Sequence, residues 1–251
     1  MSDGYQVLPV RGLPEVRQGD DLGRLLYDAL RAGGAGLHDG DVLVVAQKAV
    51  SKAEGRVVDL GTIEPSALAR EWAERWQKDP RQVEVVLGEA ARIVRMDRGV
   101  LIVETREGWV CANAGVDASN APGSDRVTLL PVDSDASAAH LRARLRELSG
   151  ADLAVIVSDT FGRPWREALA NVAIGVAGMD PILDYTGRRD ANDYELKVTA
   201  IAVADELAGA AELVMGKLER VPAALIRGYR VPPGDAGARK LVRPGERDLF
   251  R

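Results

Sequence analysis

Cysteine is almost missing from the 251-residue chain: Cys111 stands alone, so no internal disulfide can form, which fits a reducing cytosol. Histidine is nearly as scarce. His38 falls in a loop-like stretch and His140 in a charged helical pattern, neither beside a motif partner, which argues against a serine or cysteine triad. A basic surplus is absent too. The 33 Lys and Arg are spread among 38 Asp and Glu for a net charge of −5, leaving no electrostatic footprint for nucleic acid or an anionic membrane. No apolar run approaches the roughly 18 residues needed to span a bilayer. The opening MSDGYQVLPV has neither the basic start nor the apolar core of a signal peptide. There is no GxxxxGKS/T loop, so an ordinary P-loop site is excluded, and no internal repeat or low-complexity stretch. What remains is a soluble, cytoplasmic protein in which any anionic ligand must be held by a local site or by metal ions.

What is present is ordinary globular material, 46% apolar and 28% charged, on a chain long enough to bury a proper core. Residues 5–10 read as a short strand, followed by an extended turn at Leu13-Pro14-Glu15-Val16. Asp20 reads as the cap of a helix carrying Leu22, Leu25, Leu26, Ala29 and Leu30. Gly34, Gly36 and Gly40 miss the dinucleotide fingerprint, because the spacing is too long and they follow a helix. Residues 41–47 form a buried strand, with Lys48, Ser51 and Lys52 at its exit, able to hold phosphate oxygens or simply to be solvated. Helices are expected after Ser66, with Leu68, Trp72 and Trp76 on one side, and after Asp79-Pro80, with Val83, Val86 and Leu87 inward. A strand at 99–103 and a Glu107-Gly108 hairpin turn lead to CANAGVDASN, 111–120. A short strand at 127–130, a helix at 134–148 closed by Gly150, a helix at 199–215 and a strand at 221–227 follow. The tail after Tyr229 reads as loosely packed.

Two stretches carry chemistry. In CANAGVDASN one carboxylate, Asp117, lies among small residues and between Asn113 and Asn120. That setting suits a metal ligand or polar anchor, and equally a surface turn. The apolar run 153–158 is expected to end in Asp159-Thr160, a carboxylate and hydroxyl at the mouth of a core strand, and here the functional reading is preferred. Asp117, Asp159 and Thr160 together would suit a hard cation, magnesium or manganese. Carboxylates, metal and cationic side chains without an evident nucleophile point to phosphoryl transfer.

LPEVRQGDDL, DGDVLVVAQKAVSKAEGRVVDL, CANAGVDASN, SDTFGRPWR and VADELAGAAELVMGK occur in that order. With these motifs in register from about Val7 to Gly228, the chain resembles the coenzyme F420-0:L-glutamate ligase family. That family is also found as the N-terminal part of a larger actinobacterial F420 ligase, whose extra nitroreductase-like domain is not expected in 251 residues. The resemblance implies an α+β fold particular to the family, one ligase domain of two intertwined subdomains (roughly 1–110 plus 195–251, and 111–194), and a homodimer. It implies a GTP-dependent ligase that adds L-glutamate to the carboxylate of F420-0 through an acyl phosphate. Asp117 and Asp159 would hold one Mg2+ or Mn2+ and act as the catalytic carboxylates, while Thr160 would bind a second ion. Leu13, Pro14, Glu15, Val16, Gln47, Lys48, Lys52, Asn120, Met215, Gly216 and Lys217 would contact GTP. Lys217 stands where some members have an acidic second-metal ligand, and Ala168 and Asp193 stand where glycine is expected. A metal-dependent phosphatase and a nucleotide-binding regulatory module are the competing readings of the same residues.

Overall fold

The computed structural model describes residues 4–118 and 125–249. Gln6–Pro9 (β1) is a short edge strand, and Leu22–Ala32 (α1) buries the expected stripe of Leu22, Leu26, Ala29 and Leu30. Its cap is Asp21 rather than Asp20: the Asp21 carboxylate accepts from the Arg24 N–H, while Asp20 accepts from Arg17 in the preceding turn. Val42–Ala46 (β2) is buried along most of its length, as its continuous apolar run requires. The exit from that strand is no loop. Good helix formers there make Gln47–Ala53 (α2), with Ala49 and Val50 turned inward.

Val57–Asp59 (β3) leads to Ala67–Trp76 (α3), capped by Ser66 as expected. On α3 Ala69 and Ala73 are buried and Trp72 packs against the same cluster, whereas Leu68 is exposed. Small residues let Pro80–Glu89 (α4) approach closely, and Trp72 and Trp76 lie beside each other, tilted by 52° with centroids 5.7 Å apart. Asp79 and Pro80 start α4 as predicted, although Leu87 is only half-buried. Ala90–Asp97 (β4), unforeseen because none of its residues is buried and they lack clean alternation, forms a meander with Val100–Thr105 (β5) and Val110–Ala112 (β6). The turn before β6 is the expected one, with the Gly108 N–H donating to Thr105 O at 2.9 Å. Arg126–Thr128 (β7) pairs antiparallel with β3.

Ser134–Ser149 (α5) runs from an Asp133 cap to Gly150, whose φ of 76° closes the helix. Ala154–Arg163 (β8) does not stop at Ser158: it carries Asp159 and Thr160 within the strand and runs on because Arg166–Ala177 (β9) pairs along its whole length. Leu183–Asp184 (β10) and Ala200–Ile201 (β11) make a small ladder before Val203–Met215 (α6) and Ala223–Arg227 (β12). The main sheet has the order β1-β12-β2-β8-β9, with only β2 and β8 parallel. Its apolar core is shared by α1, α5 and α6, while a second cluster of buried residues joins α3, α4, β5 and β7. Asp41, 2% exposed, is held at the start of β2 by Arg227 at 2.9 and 2.7 Å and by the His38 N–H at 2.8 Å. The tail is packed rather than loose. Ala238 is fully buried, its N–H donates to Asp135, and Lys240 reaches Asp180 at 2.6 Å.

Candidate active site

The parallel register of β2 and β8 creates the site. Ala46 lies opposite Ser158, so the chain leaves β2 as Gln47-Lys48 alongside Asp159-Thr160. Carboxyl ends of parallel strands are where ligands settle on such sheets, because the chains diverge and leave a crevice. Gln47 is buried and its Oε1 accepts from the Ser51 hydroxyl at 2.9 Å, inside α2. Lys48 and Lys52, one helical turn apart on α2, reach outward together. The Lys48 ammonium meets Asp117 at 2.7 Å, and Lys52 meets Glu15 at 2.5 Å. The hydrogen bond and charge of Lys52 hold the Glu15 carboxyl below its usual range.

Asp117 is delivered by a strained turn. Asn113, Ala114 and Gly115 all have positive φ, 53°, 53° and 69°. A Cβ on Gly115 would fall 2.7 Å from Leu130, so only glycine lets the chain double back here. Asp117 then exchanges backbone hydrogen bonds with Thr128, both at 2.9 Å, which fixes it beside β7. Asn120 lies outside the described residues.

Asp159 is the most perturbed carboxylate of the site. Burial pushes its carboxyl up to about 6; the Thr160 N–H pulls it down, the Asp117 charge pushes it further up, and Lys217 and Lys48 oppose. Its neighbour Cys111 is driven up to about 12, by burial first and by the Asp159 charge second. That thiol stays protonated at neutral pH and is no nucleophile.

Thr160 joins a network the sequence reading missed. Its hydroxyl donates to Asn171 Oδ1 at 2.7 Å and accepts from Lys217 Nζ at 2.7 Å. Asn171 Nδ2 donates to Glu212 at 2.9 Å, and Lys217 pairs with Glu212 at 2.8 Å. Asn171 lies directly across the β8–β9 ladder from Thr160, a pairing visible in sequence only once the hairpin turn at residues 164–165 is recognised. Met215 is 3% exposed and belongs to the core, whereas Gly216 and Lys217 are on the surface.

Glu15, Val16, Lys52 and Asp117 line one cleft of about 460 Å³, the size of a small-molecule site. Arg17, Gln18 and Arg126 line it too and were not anticipated. Leu13 and Pro14 precede this lining in sequence and are not part of it. Ala168 and Asp193 have φ of 66° and 62°. These are left-handed positions that favour glycine, the residue the resemblance leads one to expect there. Among the described residues no three His, Cys, Asp or Glu side chains form a ready-made metal cluster, and no helix is long and apolar enough to cross a membrane.

The fold and the side chains define an α+β protein with a cluster of carboxylates, ammonium groups and a hydroxyl, one member of which, Asp117, also lines a polar cleft suited to charged ligands. A family profile described as F420-0:Gamma-glutamyl ligase matches residues 12–228. A Methanothermobacter thermautotrophicus protein named Coenzyme F420:L-glutamate ligase is 49% identical over 253 residues, covering 99% of both chains. One of the same name from Methanopyrus kandleri is 48% identical, again over 99% of both. A third, from Archaeoglobus fulgidus, is 40% identical over 98% of this chain and 96% of the relative. The chain belongs to the F420-0:gamma-glutamyl ligase family, a family of ligases.

Proposed function

We propose that this chain is a cytoplasmic, GTP- and divalent-metal-dependent ligase that joins L-glutamate to the carboxylate of F420-0. The observation that carries the reading is the Lys48–Asp117 ion pair, both of whose charges act on the buried Asp159 carboxyl, on a chain whose relatives are named for this ligation. An oxygen of the F420-0 carboxylate attacks the γ-phosphorus of GTP, and GDP leaves with the bridging oxygen. The glutamate amine then attacks the acyl carbon of the resulting acyl phosphate. Phosphate departs with the attacking oxygen, and the amine loses its proton as the amide forms. The nucleophiles belong to the substrates, so the protein has to orient them and neutralise charge.

Lys48 and Lys52, fixed by Asp117 and Glu15, can exchange those partners for phosphate oxygens, and Arg126 at the cleft wall adds a further cation. Asp117 and Asp159 are the groups that would hold Mg2+ or Mn2+. The donor set fits: magnesium is commonly bound by one or two carboxylates, with substrate phosphates and water completing its shell. Burial, which raises the Asp159 carboxyl, and the neighbouring Asp117 charge both penalise its ionised form, a cost that a bound cation would offset. The ion would supply charge neutralisation at the transferring phosphoryl group. We place the protein as a homodimer. In support, the β8–β9 hairpin, the segment between β10 and β11, and the end of α6 expose Trp165, Leu169, Val198, Leu213 and Leu218, each at least 64% accessible.

Mass spectrometry of F420-0 incubated with GTP, Mn2+ and glutamate tests the reading. A product heavier by one or more glutamyl units is expected, with one phosphate per unit. Phosphate release without glutamate incorporation would identify a phosphatase instead. GTP binding without turnover, unaffected by Asp159→Ala, would identify a regulatory module.

A further inference from the structure

Four side chains close a ring at the mouth of the main sheet: Thr160 on β8, Asn171 on β9, Glu212 on α6 and Lys217 just beyond it. Every donor in the ring is dictated. The Glu212 carboxylate only accepts, so Asn171 must turn its Nδ2 towards it and leave Oδ1 for the Thr160 proton. The Thr160 hydroxyl, having given its proton to Asn171, meets Lys217 only as an acceptor. Asn171 is 6% exposed, so its pairing with Thr160 and Glu212 is shielded from competing water. The turn that aims Lys217 needs glycine. Gly216 has φ of 60°, and a Cβ there would lie 2.3 Å from Glu219 Oε2.

Resting on the metal-dependent ligase reading, we propose that the Lys217 ammonium is this chain's permanent second cation, so that the centre loads one divalent ion rather than two. The ammonium sits 2.7 Å from the very oxygen that a second ion would have to coordinate at Thr160. A divalent ion would need a lone pair of that oxygen at roughly 2.1 Å, within strong repulsive range of the ammonium. Charge counting points the same way. Asp117, Asp159 and Glu212 are balanced by Lys48 and Lys217 to a net of one negative charge. One divalent ion reverses that to one positive, a fitting host for a polyphosphate, whereas a second would add charge where Lys217 already stands. The side chain of Lys217 is 59% exposed, and its ammonium has a third N–H beyond those used by Thr160 and Glu212, available to a phosphoryl oxygen.

The test is titration of the metal-free protein with Mn2+ alone, followed by calorimetry and electron paramagnetic resonance. Wild type is expected to bind one Mn2+ per chain with the signal of an isolated ion. Lys217→Glu removes the ammonium and adds a ligand beside Glu212 and Thr160. It should bind two per chain with the broadened signal of a coupled pair, since paired sites hold their ions about 4 Å apart. Lys217→Arg keeps the charge and should stay at one, while Lys217→Gln should admit the second ion at higher Mn2+ than Lys217→Glu. Two ions in wild type, or one ion in both Lys217→Glu and Lys217→Gln with unchanged melting curves, overturns the proposal and leaves the ligase reading standing. No Mn2+ bound to wild type would overturn the metal site and this proposal together, while glutamylation scored on the same preparation reports separately on the ligase.

Discussion

Asp159→Asn should lose glutamylation by on the order of 10³-fold while its melting temperature holds or rises. Coordination by the carboxylate is asked to supply several kcal/mol of transition-state stabilisation. An asparagine keeps the shape but offers only a neutral oxygen. Stability should not fall with activity, because burial already penalises the charge of Asp159 in the metal-free protein. Removing that charge relieves a cost accepted for function. Steady-state glutamylation and thermal melts of the same metal-free preparation separate the two effects. An Asp159→Asn protein that ligates normally would remove this carboxylate from the catalytic centre, and one that melts well below wild type would make its role structural.

Gly175→Ala should be the most damaging single methyl in the main sheet. A Cβ at Gly175 would stand 2.1 Å from the Ser134 carbonyl oxygen and 2.5 Å from its carbon. Ser134 cannot yield easily. It begins α5 behind the Asp133 cap, and both its N–H and its hydroxyl donate to the buried Glu107 carboxylate at 2.9 Å. Overpacking against a pinned backbone of this kind costs about 3 kcal/mol. For a chain of this length that is on the order of 10 °C in Tm. Gly162→Ala is the control, since nothing lies within 4 Å of a Cβ there and it should be nearly silent. Equal melting temperatures for the two variants would show that α5 can slide on β9.

The features legible in the sequence are those whose cause is local. Asp79-Pro80 and Gly150 mark helix ends through their own backbone chemistry, and the apolar runs of β2 and β8 could only be buried. Misreadings arose where a distant partner decided. The apolar run 153–158 is expected to end at Asp159-Thr160, yet β9 draws β8 past both into a long hairpin. Leu68, Trp72 and Trp76 read as one side of α3, but packing on α4 buries Ala69 and Ala73, with Trp72 against the same cluster and Leu68 exposed. Within the candidate site, Lys48 with Asp117 and Lys52 with Glu15 were each named, although their pairing needed α2 to place both lysines on one face. Asn171 and Glu212 carried no local signal. Their roles follow from a ladder register and a helix docked 41 residues further along the chain.

Transfer of oxygen between substrates tests the proposed chemistry most directly. F420-0 labelled with 18O in its free carboxylate is incubated with unlabelled GTP, Mn2+ and glutamate, and the released phosphate is analysed by mass spectrometry. Activation as an acyl phosphate places one 18O in phosphate for the first amide formed on each F420-0, with the other carboxylate oxygen retained in the product. Phosphate free of 18O would mean that water, not the carboxylate, took the phosphoryl group, and would contradict ligation at the Asp117–Asp159 centre.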